Sequence, residues 1–198
     1  MHELWFWLCH KKDGFEIIEC PACELTYVSQ ILDDLFYEET YAFEEYASVV
    51  SMLGYESHPY SKERFGVERV RKLAQYWDHQ ESPCFLDIGC STGFVVHAAT
   101  ERGWNARGID LNQNAINFGK KKFDLKLSGE NFFDINEHFD FIGMYDVLEH
   151  VPDPMSFLQQ AFERLNRSGC IHIYVLIGNP PADVYWIAMR ISFGHHAV

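Results

Sequence analysis

The fold of this chain is decided by residues 85–93, which read Phe85-Leu-Asp-Ile-Gly-Cys-Ser-Thr-Gly93. An apolar strand runs here into a loop bounded by two glycines, and a helical pattern follows. Gly89 and Gly93 leave room for a ligand against bare backbone, and the N-terminus of the following helix favours a carboxylate or a phosphate. The stretch therefore predicts a ligand loop, although a plain strand-turn-helix uses glycine in the same way.

From Cys84 onward, short apolar runs alternate with helical patterns, which is typical of a parallel sheet with crossover helices. Strands are predicted at 84–88, 105–109, 125–128, 139–145 and 170–177. One helix is predicted to follow the first strand and to stop at Gly103. Another spans 154–166, where Asp153 and Pro154 provide a cap and a first-turn residue. The predicted fold is α/β, with a Rossmann-like, doubly wound, mostly parallel sheet.

An acid lies at the end of each of the first two predicted strands. Asp87 can hold the loop or meet an ammonium group of a ligand. Asp110 follows about 20 residues beyond the glycine loop, where an acid is placed to accept both hydroxyls of a ribose. An NAD site uses the same arrangement, and Asp110 can alternatively cap the helix that opens at Asn112. The residues by themselves leave these alternatives open.

Two further motifs give the chain a family resemblance. They are Gly108-Ile-Asp110 and Phe139-Asp-Phe-Ile-Gly-Met-Tyr-Asp-Val-Leu-Glu-His-Val-Pro-Asp-Pro154. With the glycine loop, they resemble the class I S-adenosylmethionine-dependent methyltransferases, in the group that includes the ubiquinone-pathway O-methyltransferases and many bacterial sugar and glycan methyltransferases. A nicotinamide dehydrogenase requires Gly-x-Gly-x-x-Gly, whereas this chain has Gly-Cys-Ser-Thr-Gly.

The resemblance implies a site for S-adenosyl-L-methionine within residues 84–177. The implied cofactor residues are Asp87, Gly89, Cys90, Ser91, Thr92, Gly93, Asp110, Leu111, Glu130, Asn131, Met144 and Tyr145. The glycine loop would line the methionine moiety, while Asp110 and Leu111 would hold the ribose and flank the adenine. Glu130 would accept a hydrogen bond from the adenine amino group. Met144 and Tyr145, at the end of the fourth strand, would border the sulfonium.

The histidines are the candidates for proton transfer. His150 follows the fourth strand, on the edge where open parallel sheets place their ligands. It can act as a general base, and it can equally tie its loop to a neighbouring carbonyl; Asp146 has the same ambiguity. Three other histidines lie within or beside regular elements and are interpreted as ordinary core or surface residues: His97, His138 and His172.

The resemblance implies methyl transfer to a small molecule or a glycan precursor, at oxygen rather than at carbon or nitrogen. The alternative is a degenerate, non-catalytic relative that binds the cofactor or a protein partner. That alternative gains support from the C-terminus, because only 21 residues follow Ile177. These cannot supply the helix and two strands that complete the family's sheet, so we expect a truncated domain that lacks the last strands.

Composition divides the chain into residues 1–28, 29–80 and 81–198, and the last of these is the expected methyltransferase domain. The first part surrounds Cys20-Pro-Ala-Cys23 and resembles the second half of a small zinc ribbon, arranged as a short hairpin. A zinc site needs four ligands, so with a single Cys-x-x-Cys pair no metal is expected. The second part is a helical lead-in or lid, and Ser61 is the predicted cap of its last helix.

Charge and composition limit the partners and the location. The chain has 198 residues and a formal charge of -13, from 29 acidic and 16 basic residues, so a phosphate backbone would be repelled. The apolar stretch Leu4–Cys9 is far shorter than the ~20 residues that a membrane span requires. We therefore expect a cytoplasmic protein with reduced cysteines and with neither nucleic acid nor membrane as a partner.

Overall fold

The computed structural model describes residues 7–12, 15–22, 26–28, 59–179 and 183–192. The chain divides into two compact units, Met1–Tyr37 and Glu38–Val198. Most of the predicted lead-in, residues 29–58, lies outside the described residues. In the parts of the chain that are described, no helix is long and apolar enough to cross a membrane.

The N-terminal unit contains a small antiparallel sheet. Its strands are β1 Trp7–Lys12, β2 Phe15–Glu19 and β3 Thr26–Val28, in that spatial order. The predicted hairpin is thus extended by a third strand. Cys20 follows β2 directly, whereas Cys23 lies outside the described residues. Within the described ranges, no group of three or more potential ligands is placed to hold a metal ion.

The second unit is a six-stranded sheet with helices on both faces. Its helices are α1 Pro59–Ala74, α2 Phe94–Glu101, α3 Gln113–Phe123 and α4 Pro154–Glu163, with 3-10 turns at Phe132–Asp134 and Leu148–His150. Its strands are β4 Cys84–Ile88, β5 Asn105–Ile109, β6 Leu127–Ser128, β7 Phe139–Tyr145, β8 Leu165–Asn179 and β9 Asp183–Ser192. The order is β6-β5-β4-β7-β8-β9, in which the first five strands are parallel and β9 is antiparallel to β8.

This architecture confirms the predicted doubly wound, mostly parallel sheet. It also contains a strand that was not predicted, because the described residues after Ile177 include β9, which pairs with β8 from Cys170 to Asn179. The helix predicted at 154–166 ends at Glu163, since Leu165 already pairs with Phe139 as part of β8. That strand is correspondingly longer than predicted, and β6 is shorter.

The predicted cap of α1 is wrong. The helix begins at Pro59, so Ser61 lies inside its first turn instead of before it. Proline is well suited to the first helical position, because its φ angle is already helical and no N–H is needed there. A cap at Ser61 would make residue 62 the first helical residue, so the helix starts three residues earlier than predicted.

The core lies on both faces of the sheet, because neighbouring residues of each strand point to opposite sides. Phe85 packs with α1, α2 and α3 through residues such as Leu73 and Val96, whereas Leu86 packs with Ile142 and the α4 side. Each such side chain contributes about 1.5 to 3 kcal/mol on burial. Since both faces are covered, a polar ligand can reach the strands only at their ends. The strand order reverses between β4 and β7, which is where open α/β sheets bind ligands.

Candidate functional site

The loop between β4 and α2 is folded tightly across the end of β5. Gly89, Ser91 and Gly93 have φ angles of 70°, 49° and 81°. The amides of Gly89 and Cys90 both donate to the Ile109 carbonyl, at 2.9 and 3.0 Å. A Cβ atom at Gly89 would overlap Val147 Cγ2. Gly89 is therefore required both by its left-handed backbone and by the close approach of the segment that follows β7.

The side chains of the loop point mostly inward. Cys90 and Thr92 are buried, and burial raises the pKa of the Cys90 thiol. A Cβ atom at Gly93 would lie 2.7 Å from Leu125 Cδ1, so this glycine faces the core. Ser91 is the exposed residue of the loop. A ligand at this edge would therefore meet mainly the backbone of residues 89–93.

Asp110 connects the loop to the end of β5. Its Oδ2 accepts from the Ser91 amide at 2.7 Å, and its Oδ1 accepts from the Asn112 amide at 2.8 Å. Helix α3 is capped by Asn112, whose side chain accepts from the Ala115 amide. Asn112 therefore caps α3, and the half-buried carboxylate of Asp110 instead holds the loop through the Ser91 amide.

Asp87 places a carboxyl group deep below the loop. Its side chain is 2% exposed, and Oδ1 receives no hydrogen bond from any residue that the structure describes. Burial raises the pKa of Asp87 to about 8, with the Arg69 guanidinium opposing this and Asp110 adding to it. Buried polar atoms normally have a partner, so this oxygen is an open acceptor for a ligand donor. A cation such as an ammonium group would satisfy it and favour the charged carboxylate.

Arg69 is a site residue that the sequence interpretation missed. A Cβ atom at Gly66 would lie 2.6 Å from the Phe94 carbonyl oxygen, so α1 runs directly over the start of α2. One turn later, the Arg69 guanidinium lies with its Cζ 4.2 Å from the Tyr145 ring centroid. The available signal was its position in α1: Arg69 is four residues from both Phe65 and Leu73, a spacing that puts the three residues on one side of the helix.

The end of β7 carries Met144 and Tyr145, which are both buried. The Tyr145 ring folds back over Gly143, where a Cβ atom would lie 2.6 Å from ring atom Cε2. Its hydroxyl lies 3.1 Å from His172 Nδ1 on the neighbouring strand β8. His172, interpreted as an ordinary residue, is thus a buried partner of a predicted site residue.

The segment after β7 turns sharply at Asp146, which has a φ angle of 57°. Its amide donates to the Tyr174 carbonyl at 2.8 Å, and its Oδ2 lies 3.8 Å from Arg69 Nη2. Partial burial raises the pKa of Asp146, with Arg69 opposing. His150 is exposed in the following 3-10 turn, and its amide donates to the Val147 carbonyl at 2.9 Å. Its role as a base stays a prediction.

The residues predicted to meet adenine lie beyond β5 and β6. Leu111 is 57% exposed, which leaves an apolar side chain available to a flat ring. Glu130 forms an ion pair with Arg107, and that arginine also binds Glu137 at 2.6 Å. Asn131 Oδ1 accepts from the Phe133 amide and begins a 3-10 turn. Glu130 and Asn131 are therefore engaged within the protein, whereas the buried Ser128 Oγ at the end of β6 has no hydrogen-bond partner among the described residues.

Residues 60–191 match a family model described as a methyltransferase domain. The chain belongs to this family. The ubiquinone biosynthesis O-methyltransferase of Pseudomonas fluorescens (strain Pf0-1) is 26% identical over 114 residues, which cover 52% of this chain and 48% of that protein. The corresponding enzyme of Nitrosomonas europaea is 27% identical over 114 residues, covering 52% and 47%. This methyltransferase domain spans about half the length of the curated relatives that it matches.

A solved structure with the same fold is the plantazolicin methyltransferase BpumL in complex with a monoazolic desmethylPZN analog and SAH. Its TM-score is 0.56 at 18% identity, and the match covers 72% of this chain and 58% of BpumL. At this identity, the likeness shows the fold of the methyltransferase domain. The likeness agrees with the mostly parallel sheet and flanking helices described above.

Proposed function

We propose that this methyltransferase domain binds S-adenosyl-L-methionine at the carboxyl edge of β4, β5 and β7. We further propose that it transfers the methyl group to an oxygen of a small molecule or glycan precursor. One observation carries the proposal: at this edge the buried Asp87 carboxyl group has an oxygen, Oδ1, without a hydrogen-bond partner among the described residues, and it interacts electrostatically with the Arg69 guanidinium. The names of the ubiquinone O-methyltransferases support oxygen as the acceptor atom. The SAH in the BpumL complex supports the cofactor.

The methionine moiety is a zwitterion, and its two charges fit the two side chains. The open acceptor Asp87 Oδ1 can receive the ammonium group, and Arg69 can bind the carboxylate through its fork of N–H donors. Among the described residues, no side chain caps α2, so its first amides also point toward this position. The residues present therefore fit an amino acid headgroup.

The adenosine moiety fits the ends of β5 and β6. Each Asp110 oxygen accepts one backbone amide and has lone-pair capacity for one ribose hydroxyl as well. Leu111 can cover one face of the adenine. Glu130 Oε2 binds Arg107, and its other carboxylate oxygen can accept a hydrogen bond from the adenine amino group.

When bound, the cofactor supplies a methyl group that is already activated on a sulfonium. The protein then has to position the acceptor in line with that methyl group and keep water away. Such positioning provides about 7 to 11 kcal/mol of barrier reduction. Met144 and Tyr145 border this point from the end of β7, and His150 follows them in the sequence. As a general base, the His150 imidazole would take the proton of the acceptor hydroxyl, for a factor of about 100 to 10,000.

Calorimetric titration of the purified chain with S-adenosylhomocysteine tests the cofactor assignment. We expect saturable binding at one site and no binding of NADH under the same conditions. A chain that is folded by circular dichroism but does not bind S-adenosylhomocysteine would overturn the proposal.

Turnover needs a separate assay. Labelled S-adenosyl-L-methionine should transfer its methyl group to at least one member of a panel of phenols and glycan precursors. Replacement of His150 by glutamine should then lower turnover and leave the affinity for S-adenosylhomocysteine unchanged. Equal losses of turnover, affinity and stability would instead make His150 a structural residue. Cofactor binding without turnover on any acceptor would favour a non-catalytic binding protein.

A further inference from the structure

His172 is a buried polar residue in the middle of a hydrophobic strand. It is 6% exposed, and its neighbours on β8, Ile171 and Ile173, belong to the core. An imidazole in such a place costs free energy unless it is hydrogen-bonded. The observed partner is the Tyr145 hydroxyl, 3.1 Å from Nδ1.

The strand register explains how Tyr145 reaches this histidine. Gly143 of β7 is the register partner of His172 on β8, and its missing side chain leaves space for the Tyr145 ring. The two rings make an edge contact at 5.5 Å between centroids. The Tyr145 ring is therefore fixed at both ends, by its backbone at the end of β7 and by its hydroxyl on β8.

The Arg69 guanidinium packs against the face of the Tyr145 ring. The guanidinium Cζ is 4.2 Å from the Tyr145 ring centroid, whereas the Tyr174 centroid is 5.4 Å away. The ion pair with Asp146 is long, at 3.8 Å, and involves one nitrogen. A cation over an aromatic face gains about 0.5 to 2 kcal/mol. Tyr145 therefore contributes more to the position of the guanidinium than the acid does.

We propose that His172 is a positioning residue that holds the Arg69 guanidinium in place for the cofactor carboxylate, through the Tyr145 side chain. This inference rests on the proposed function, since it concerns the same cofactor site. His172 does not touch the cofactor in this account. It sets the orientation of the ring that supports the arginine.

The Tyr145–His172 pair keeps the same charge near pH 7. Burial lowers the pKa of His172 to about 4, and the nearby charges of Lys72 and Arg69 lower it further in the same direction. Burial also raises the pKa of the Tyr145 hydroxyl. Both groups are consequently neutral near pH 7, where the imidazole can accept or donate at Nδ1. The neutral His172 imidazole therefore adds no positive charge near Arg69.

A double-mutant cycle on the affinity for S-adenosylhomocysteine tests the proposal. His172→Leu should weaken binding about 10-fold in the wild-type background, because it removes one hydrogen bond and leaves a buried hydroxyl without a partner. In an Arg69→Ala background, the same change should alter the affinity less than about 2-fold, because the group that His172 positions is gone. His172→Asn, which places an amide near the position of Nδ1, should recover most of the affinity.

Independent, additive effects of the two changes would overturn the positioning role, and so would wild-type affinity in a folded His172→Leu protein. Where His172→Leu is too unstable to assay, Tyr145→Phe provides the same cycle, since it keeps the ring and removes only the hydroxyl. It should weaken binding to the same extent as His172→Leu and have no effect without Arg69. A wild-type protein that does not bind S-adenosylhomocysteine would remove the proposed function as well, whereas additivity removes only the role of His172.

Discussion

The two ends of the proposed cofactor site differ in whether the carboxyl group that is proposed to bind the ligand there is already paired within the protein. At the methionine end, the buried Asp87 Oδ1 has no hydrogen-bond partner among the described residues. At the adenine end, Glu130 is paired with Arg107, and Asn131 caps a 3-10 turn. Unpaired buried groups gain a full hydrogen bond when a ligand arrives, whereas paired groups exchange one partner for another.

This difference indicates where the binding free energy comes from. Charge-assisted hydrogen bonds to buried groups contribute about 1.5 to 3 kcal/mol each. Exposed ion pairs contribute about 0 to 1 kcal/mol, and the Glu130 side chain is 40% exposed. We therefore expect the methionine end to dominate affinity and the adenine end to contribute mainly through shape and the ribose contacts of Asp110.

The largest effect is expected from Gly89→Val. A branched side chain at a φ angle of 70° is strained, and its Cβ would overlap Val147. Binding of S-adenosylhomocysteine should fall below detection by calorimetry. Gly103→Val is the matched control, because that glycine has a φ angle of 86° with nothing within 4 Å of its Cβ position. It should lose stability and keep binding; normal binding by Gly89→Val would show that the loop is not the site.

Asp87→Asn should weaken S-adenosylhomocysteine binding by about 1.5 to 3 kcal/mol, because a neutral amide replaces the acceptor of the ammonium group. The variant keeps the size of the side chain, so packing is preserved. Calorimetry at pH 8 measures the loss. Equal affinities of variant and wild type would place the ammonium group elsewhere.

The same variant should alter the pH dependence of stability. The pKa of Asp87 is about 8 in the folded chain, above its ordinary value of 3.8, so the folded state retains a proton that the unfolded state releases. Its contribution to stability is complete below about pH 4 and is lost as the pH rises to about 8. The melting temperature of Asp87→Asn, relative to wild type without ligand, should therefore rise across this range. A difference that does not vary with pH would contradict the raised pKa.

Asp110→Ala should weaken binding by about 1 to 3 kcal/mol, since two ribose hydroxyls lose their acceptor. The loop also loses its bond from the Ser91 amide to the carboxylate. Asp124→Asn, at the left-handed C-cap of α3, is a control that removes a surface charge away from the strand ends. Unchanged affinity of the Asp110 variant would restrict this acid to holding the loop.

The smallest effect is expected from Glu130→Gln, below about 3-fold, because the carboxylate is exposed and shared with Arg107. Glu137→Gln is its matched control, since it removes the other ion pair of the same arginine. Similar losses of affinity, below about 3-fold in both variants, would support the view that the adenine end contributes less to binding than the methionine end. A 10-fold loss confined to Glu130 would mean that the adenine amino group depends on this acid.

The sequence predicted the parallel strands closely, because a sheet covered on both faces requires continuous apolar runs. The predicted bounds of β4, β5 and β7 are those of the structure. β9 was missed because the prediction required the helix and two strands that complete the family's sheet, whereas a single strand pairs directly with the preceding β8, from Asn179 and Asp183 to Cys170 and Ser192. Without β9, the strand β8 would be the edge of the sheet, with one row of its backbone groups unpaired.

The acids at the strand ends could be predicted, whereas their partners could not. Asp87 and Asp110 follow from the position of their strands. Arg69 depends on how α1 crosses the start of α2, and the pairing of Glu130 depends on which face of β5 carries Arg107. Local spacing places Arg69 beside apolar residues of α1, but it does not show which strand end the arginine faces or which acid Arg107 binds.

The most direct test of the central claim compares two ligands on the wild-type chain by calorimetry: S-adenosylhomocysteine and 5′-methylthioadenosine, which keeps the adenosine and lacks the amino acid headgroup. With the ammonium group on Asp87 and the carboxylate on Arg69, removal of the headgroup should weaken binding at least about 100-fold, the equivalent of about 2.7 kcal/mol. Equal affinities for the two ligands would contradict the account, because the binding free energy would then come from the adenosine end.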